Sequence, residues 1–338
     1  MQLTLKNFKG INDESHIEFN EKGVSVLVGP NNSGKTTILQ GLLVASDPFQ
    51  QLVNAGVLVK ISSSPFGLPV FSRLFYDPNR EAQINQVDLK YKTSPNRLEV
   101  YYRGELHGII SVTSPLPFPN AILPYESELF EKSKHLSSRY FSWANQAIRE
   151  VWIPINAERK AIFLSPIFRE DIHLMLTSIW HAIDKEKVVE LVKNIVEGVD
   201  EITLEPNEYG NYELYLVKGH KRYPLRLFGD GTQWATIALI MLSVGEYDTV
   251  LLDDVEAFMN PKMIEDFFST ITDALKDKMV VIATHSYDVI GTLSTILDDF
   301  DVFHLRLKEG KLEYKKIKKD EMDKFTLDVR YPSTFSLI

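Results

Sequence analysis

The sequence predicts an α/β fold: a mixed sheet flanked by helices, an antiparallel β subdomain at the N-terminus, and a helix-rich insert. Three observations carry this reading. The apolar run Val24 to Val28 has strand length, and glycine-rich residues 29–34 and a helix-like apolar run to Ala45 follow it. The apolar stretches 249–254 and 279–286 end on polar residues and alternate with helical patterns. Ahead of all of these, residues 2–7 and 16–19 read as strands, with turn signals at Lys9-Gly10 and 20–23. Carboxylates and a histidine at strand C-termini, with helices between, are how an open α/β sheet lines a ligand crevice.

The remaining elements follow in order. After residue 46 the composition loosens into Ser62-Ser63-Ser64-Pro65. Arg97 to Tyr102 and His107 to Val112 read as β segments around a turn at Arg103-Gly104-Glu105. Proline-rich 115–120 precedes an expected helix from about Glu126 to Glu150, a short strand at 151–154 and a helix-rich stretch over 166–198. A hairpin is expected through Tyr209-Gly210-Asn211, an amphipathic helix over 261–277, and a closing hairpin with strands 301–307 and 311–317. No repeat or sustained heptad appears between 46 and 215. The whole chain, 1–338, reads as one domain, its core at about 1–45 and 215–338 and its insert at about 46–214.

Composition narrows the classes. The chain has 338 residues and is 44% hydrophobic, enough for a sizeable core. No apolar run approaches the roughly 18 residues of a membrane span. The N-terminus enters strand-like alternation without a signal-peptide core, so a cytoplasmic protein without membrane contact is expected. Absence of cysteine excludes disulfides and thiolate metal sites. A net charge of −9 argues against an all-over basic surface made for nucleic acid.

Gly29-Pro30-Asn31-Asn32-Ser33-Gly34-Lys35-Thr36 matches the phosphate-loop pattern, and strand before and helix after are the context that pattern needs. Glycines let successive N–H groups face one concavity, and the helix N-terminus adds its positive end. Lys35 supplies a point charge for the β- and γ-phosphates, and the Thr36 hydroxyl can ligate magnesium. Thr37 completes the segment. The expected ligands are ATP and Mg2+. Gly229-Asp230-Gly231-Thr232-Gln233 reads as a loop feeding a helix N-terminus, a second anion-binding device or a tight turn capped by Asp230. Asp253, at a strand end, suits magnesium or a helix cap. His285 closes another apolar strand, beside Thr284 and Ser286.

In that order these four pieces resemble the Walker A, signature, Walker B and switch-histidine motifs of ABC-type ATPases. Leu3 to Gly10 resembles the opening of the SMC and RecF-like branch. Asn31 to Thr36, Leu252 to Pro261 and Thr284-His285-Ser286 are most similar to OLD-type ATPases and their stand-alone relatives. The resemblance covers about 1–45 and 220–290 well and the middle scarcely. It implies a phosphate-loop NTPase fold and an ATPase in which His285 senses the γ-phosphate. The signature residues 229–233 would complete the site of a partner copy. The family usually carries glutamate after the Walker B aspartate, but here that position is Asp254, one methylene shorter. If the strand pitch continues, Asp254 and Glu256 share a face and either could orient water, so slow hydrolysis is expected. Gln83 and Gln86 are weak candidates for a glutamine loop, and Glu158-Arg159-Lys160 for a site-proximal arginine segment.

About 50 residues follow His285, too few for the toprim nuclease domain of OLD-type proteins, and SMC-like coiled coils are missing from the insert. The first expectation is therefore an ATP-dependent homodimer that switches a separate, unidentified effector, nuclease or defence linked. A RecF-like DNA-binding ATPase is the alternative, and a transporter nucleotide-binding subunit a third. For DNA the local features are Lys311, Lys315, Lys316, Lys318 and Lys319 around Tyr314, and Lys218, Lys221 and Arg222. Edge-strand protection explains such lysines equally well.

Overall fold

The computed structural model describes residues 1–46, 71–93, 96–113, 137–143, 146–152, 159–166, 176, 180–207, 212–244 and 247–318. The first strands are β1 (Gln2–Lys6), β2 (Ser15–Glu18) and β3 (Gly23–Val28), followed by helix α1 (Lys35–Ser46). Next come β4 (Ala82–Ile84), β5 (Val87–Lys92), β6 (Arg97–Tyr102), β7 (Glu105–Thr113), β8 (Ser137–Trp143), β9 (Gln146–Trp152) and β10 (Ala161–Leu164). Helix α2 (Lys185–Lys193) leads to β11 (Glu201–Pro206), β12 (Tyr212–Lys218) and β13 (Lys221–Pro224). The distal part holds α3 (Asp230–Val244), β14 (Thr249–Asp253), α4 (Pro261–Leu275), β15 (Met279–Ala283), α5 (Tyr287–Ile296), β16 (Asp301–Lys308) and β17 (Lys311–Lys318).

Two compact units divide the chain: Met1–Phe19, Asn31–Lys160 and Leu305–Tyr314 form the first; Asn20–Pro30, Ala161–His304 and Lys315–Ile338 form the second. The first is built on an antiparallel sheet of order β2-β1-β4-β5-β6-β7-β9-β8. Alternation in β1 buries Leu3 and Leu5, and α1 comes so close that a Cβ on Gly41 would lie 2.6 Å from Leu5. Asn7 explains part of the opening motif. It turns the backbone left-handed at φ 51°, and its amide donates to the carbonyls of Asp77 (2.9 Å) and Arg80 (3.0 Å). Its Oδ1 accepts from the Asp77 N–H at 2.7 Å, so one short side chain anchors the segment ahead of β4. Lys9 adds a bond from Nζ to Gln40 Oε1 of α1 at 2.6 Å.

The helix expected from about Glu126 to Glu150 is not formed where the structure describes it. Ser137–Trp143 and Gln146–Trp152 are paired strands, with Phe141 opposite Ile148 and Arg139 opposite Glu150. Aromatic and β-branched residues suit a pleated pair, and tertiary pairing overrides the weak helical spacing. The insert, expected to be helix-rich, is mostly strand among the described residues, with α2 between β10 and β11. The sequence reading passed over β4 and β5, although Val87, Leu89 and Tyr91 alternate with Asp88, Lys90 and Lys92 in the period-2 pattern of a half-buried strand.

Strands β10, β14, β15, β3 and β16 run in parallel in a six-stranded sheet of order β10-β14-β15-β3-β16-β17. β14 and β15 are buried throughout, which is why they read as unbroken apolar runs. The hairpin β16–β17 turns at Glu309 and Gly310, both left-handed as a tight hairpin requires. Helix α4 starts where the sequence indicates: Asn260 caps it by accepting from Met263 N–H at 2.9 Å, and Pro261 opens its first turn. A three-stranded sheet, β11-β12-β13, follows α2, with β11 and β12 antiparallel; the expected turn residues Tyr209, Gly210 and Asn211 lie outside the described residues. Among the described residues no helix is long and apolar enough to cross a membrane.

Candidate nucleotide-binding site

Register places the C-terminal ends of three neighbouring strands in one row. Asp253 of β14 stands opposite Ala283 of β15, and Ala283 opposite Leu27 of β3. The next residues along each strand are Asp254, Thr284-His285 and Val28-Gly29, so the strand-end carboxylates, the histidine and the start of the glycine-rich loop leave the sheet at the same edge. This is the crevice position of an open parallel sheet.

The loop that follows β3 is bent by Gly29 (φ 144°), Asn32 (φ 63°) and Gly34 (φ 97°). Two of these need glycine, and asparagine is the side chain that best tolerates the third. Helix α1 begins at Lys35, with the Ile38 N–H bonded to Gly34 O at 2.9 Å. Pro30, Asn31 and Asn32 are exposed; Ser33, Gly34, Lys35 and Thr37 are buried, and Thr36 is half-buried. Ser33 Oγ is buried without a hydrogen-bond partner among the described residues. A curled backbone, a buried lysine at a helix N-terminus and an orphaned hydroxyl together fit an anion with several oxygens.

The turn after β14 departs from expectation. The strand ends at Asp253, and Asp254 adopts φ 47°, so Asp254 and Glu256 do not alternate along one strand face. Asp254 donates its N–H to Ala283 O at 3.0 Å, tying the turn to β15. Glu256 Oε1 accepts from the Thr284 hydroxyl and from the His285 N–H at 3.2 Å. Burial pushes the Glu256 carboxyl above its ordinary range, and the charge of Asp254 pushes it the same way; the two donors pull it down. Asp253 is buried at 6% exposure, whereas His285 is exposed.

Helix α3 takes in most of the expected signature loop, starting at Asp230 with the Gln233 N–H bonded to Gly229 O at 3.0 Å. Gln233 Nε2 donates to Phe228 O at 2.7 Å, closing the turn before the helix. Gly229 and Asp230 are exposed, Thr232 and Gln233 are half-buried, and Gly231 is buried. A Cβ on Gly231 would lie 2.4 Å from the backbone oxygen of Phe258, so this glycine lets the turn after β14 approach α3. Trp234, fully buried, bonds from Nε1 to Val255 O at 2.9 Å and fastens the same two pieces.

Among the weaker candidates, Gln83 lies exposed on β4, and Gln86 accepts from Arg103 Nε at 2.6 Å. Arg159 is half-buried and Lys160 exposed; Glu158 and Lys319 lie outside the described residues. Sequence reading missed Thr284 as the partner of Glu256 and Gln40 as the partner of Lys9. A hydroxyl directly before the histidine was the available signal for Thr284.

The family described as "AAA domain, putative AbiEii toxin, Type IV TA system" matches residues 117–291, just over half of the chain, and a second AAA-domain family matches residues 2–48. The chain belongs to this AAA-domain family. No curated protein sequence matches it. Among solved structures it is similar to an Smc head bound to the C-winged helix domain of ScpA, with TM-score 0.51 and 13% identity over 96% of this chain and 98% of that one. It is also similar to the Smc head domain with a coiled coil and joint from Pyrococcus yayanosii, with TM-score 0.53 and 9% identity over 97% and 99%. The fold is that of an SMC-type ATPase head.

Proposed function

We propose that this chain is an ATP-dependent switch that binds ATP, hydrolyses it slowly with magnesium, and dimerises around it to act on a separate effector linked to nuclease or defence activity. The phosphate loop carries the reading: left-handed Gly29, Asn32 and Gly34, buried Lys35 at the start of α1, and the orphaned Ser33 hydroxyl. The loop N–H groups and Lys35 bind the β- and γ-phosphates. Thr36 and Asp253 have the oxygen donors magnesium requires, and the ion would neutralise charge developing on the phosphates. Asp254 orients water, and His285 meets the γ-phosphate. The exposed Gly229 and Asp230, at the N-terminus of α3, face the nucleotide of a second copy. That one Smc head is bound to a domain of ScpA supports a head of this fold acting through another protein.

The OLD-type kinship rests on the motif wording alone. Among the described residues, three of the basic side chains considered for DNA are engaged within the chain. Lys316 of β17 pairs with Asp301 at 2.8 Å, Lys218 donates to Glu197 O at 2.6 Å, and Arg222 pairs with Glu205 at 3.0 Å.

Calorimetric ATP titration tests the reading. Lys35→Ala removes the motif's cation and is expected to weaken ATP by about a hundredfold; affinity within about threefold of wild type overturns the phosphate-loop assignment. Sedimentation of Asp254→Asn should show a monomer–dimer shift on adding ATP. Mixing Lys35→Ala with Gly229→Glu should restore part of the activity, since heterodimers keep one intact site. Gly229 suits this test because a side chain there meets nothing within 4 Å, whereas one on Gly231 collides with Phe258. A dead mixture despite heterodimers would show that the site is not shared.

A further inference from the structure

His285 is exposed, yet the backbone on both sides of it is fixed. Before it, Thr284 is fully buried and its hydroxyl donates to Glu256 Oε1. The same hydroxyl oxygen accepts from the Ser286 N–H at 2.9 Å. Ser286 Oγ then accepts from the Asp288 N–H at 3.1 Å, capping α5. Between these, the N–H of His285 itself donates to Glu256 Oε1 at 3.2 Å. One carboxylate oxygen thus holds a side chain and a backbone amide of adjacent residues. It reaches them from a turn that is clamped to β15 by the Asp254 N–H to Ala283 O bond, at 3.0 Å.

We infer that Glu256 is a positioning residue: its carboxylate sets the backbone of Thr284 and His285, and with it the reach of the imidazole, and does not itself activate water. The Thr284 and His285 bonds to Oε1 both come from the histidine strand, and both need an acceptor oxygen rather than a charge. An amide oxygen can accept the same two bonds, so glutamine should replace glutamate here. A general base would not survive that replacement. The inference rests on the proposed contact of His285 with the γ-phosphate, and the experiment separates the two.

Steady-state ATP hydrolysis is measured for wild type, Glu256→Ala, Glu256→Gln, Thr284→Val, His285→Ala and the double variant Glu256→Ala/His285→Ala, alongside ATP binding and melting temperature. Glu256→Ala is expected to lower kcat at least about tenfold with KM within about twofold, because a displaced catalytic group costs rate before it costs binding. Glu256→Gln should stay within about threefold of wild type, and the double variant should be no slower than His285→Ala, as for groups acting in series. Thr284→Val keeps side-chain volume and removes the relaying hydroxyl, so it too should lower kcat at unchanged KM, which serves if Glu256→Ala fails to fold. Equal losses in Glu256→Gln and Glu256→Ala, additive losses in the double variant, or a fully active Thr284→Val would each overturn the inference. If wild type binds ATP without turning it over, the hydrolytic reading fails and amide hydrogen exchange decides. Exchange of the His285 amide at least about tenfold faster in Glu256→Ala but unchanged in Glu256→Gln supports positioning, while equal protection in all three removes it.

Discussion

The phosphate loop and the turn after β14 leave the same parallel sheet at the same edge, and both bend through left-handed backbone, but with opposite residue choices. The loop places glycine at two of its three left-handed positions; the turn places Asp254 (φ 47°) and Phe258 (φ 70°) there. Glycine strips side chains away so that N–H groups can face a ligand. A turn without glycine presents its side chains, and a bulky residue such as phenylalanine in this region is strained by about 1–2 kcal/mol. The turn holds that strain through neighbours. Ala257 N–H bonds to Asp254 O and Met259 N–H to Glu256 O, both at 2.9 Å, and the indole of Trp234 grips Val255 O. A backbone-built site is fixed by its own residues, whereas a side-chain-built site is fixed by what surrounds it.

That difference can be broken from the surroundings first. Gly231→Ala places a methyl against the Phe258 carbonyl, at 2.4 Å before relaxation, in a region pinned from several sides. Overpacking of this kind should destabilise the protein by about 3 kcal/mol, read by urea unfolding. A loss below about 0.5 kcal/mol would show that α3 shifts freely, and that the turn is not clamped. Gly34→Ala probes the other device. Its Cβ would sit 3.5 Å from Leu312, an ordinary contact, so the cost comes from φ 97° alone. About 2 kcal/mol is expected, with loss of ATP binding because the loop must uncurl.

A smaller change of opposite sign comes from Phe258→Gly. The ring is 66% exposed, so little burial is lost, and the left-handed strain disappears. Relief of strain less the added freedom of the unfolded chain leaves a gain of about 0.5–1 kcal/mol. Destabilisation instead would place the ring in a packing role.

The same contrast explains what could be read from sequence. The phosphate loop, β14, β15 and α4 were legible because glycine spacing, unbroken apolar runs and an Asn-Pro start each have one local cause. The turn after β14 was not legible: the expected strand ran to Asp254, and nothing in Asp254-Val255-Glu256 announces that the chain turns left-handed there. Its geometry depends on Ala283, Thr284 and Trp234, which are distant in sequence. Gly231 likewise looked like a loop glycine, and only the approach of Phe258 shows why a side chain is excluded. The strands β8 and β9 failed for a related reason: β9 is fixed by its non-local pairing with β7, β8 pairs on the far side of β9, and short runs of mixed polarity suit either period.

The smallest effect is one of pH, and it tests how the turn holds Glu256. Burial raises its carboxyl pKa from the ordinary 4.5, the charge of Asp254 adds to that, and the bonds from Thr284 and His285 oppose both. Between 4.5 and the raised value, the folded chain keeps a proton that the unfolded chain has released. The folded state then binds more protons, so this group's contribution to stability falls as pH rises through that window and levels off above it. Glutamine at this position does not titrate. The stability of Glu256→Gln relative to wild type should therefore increase with pH across that window and then stay constant, measured as the difference in melting temperature between about pH 4 and 8. Taking the difference cancels the other carboxylates, which titrate in both proteins. A difference that shrinks with rising pH would reverse the sign: the Thr284 and His285 donors would then outweigh burial, and Glu256 would be held as a carboxylate that the turn stabilises.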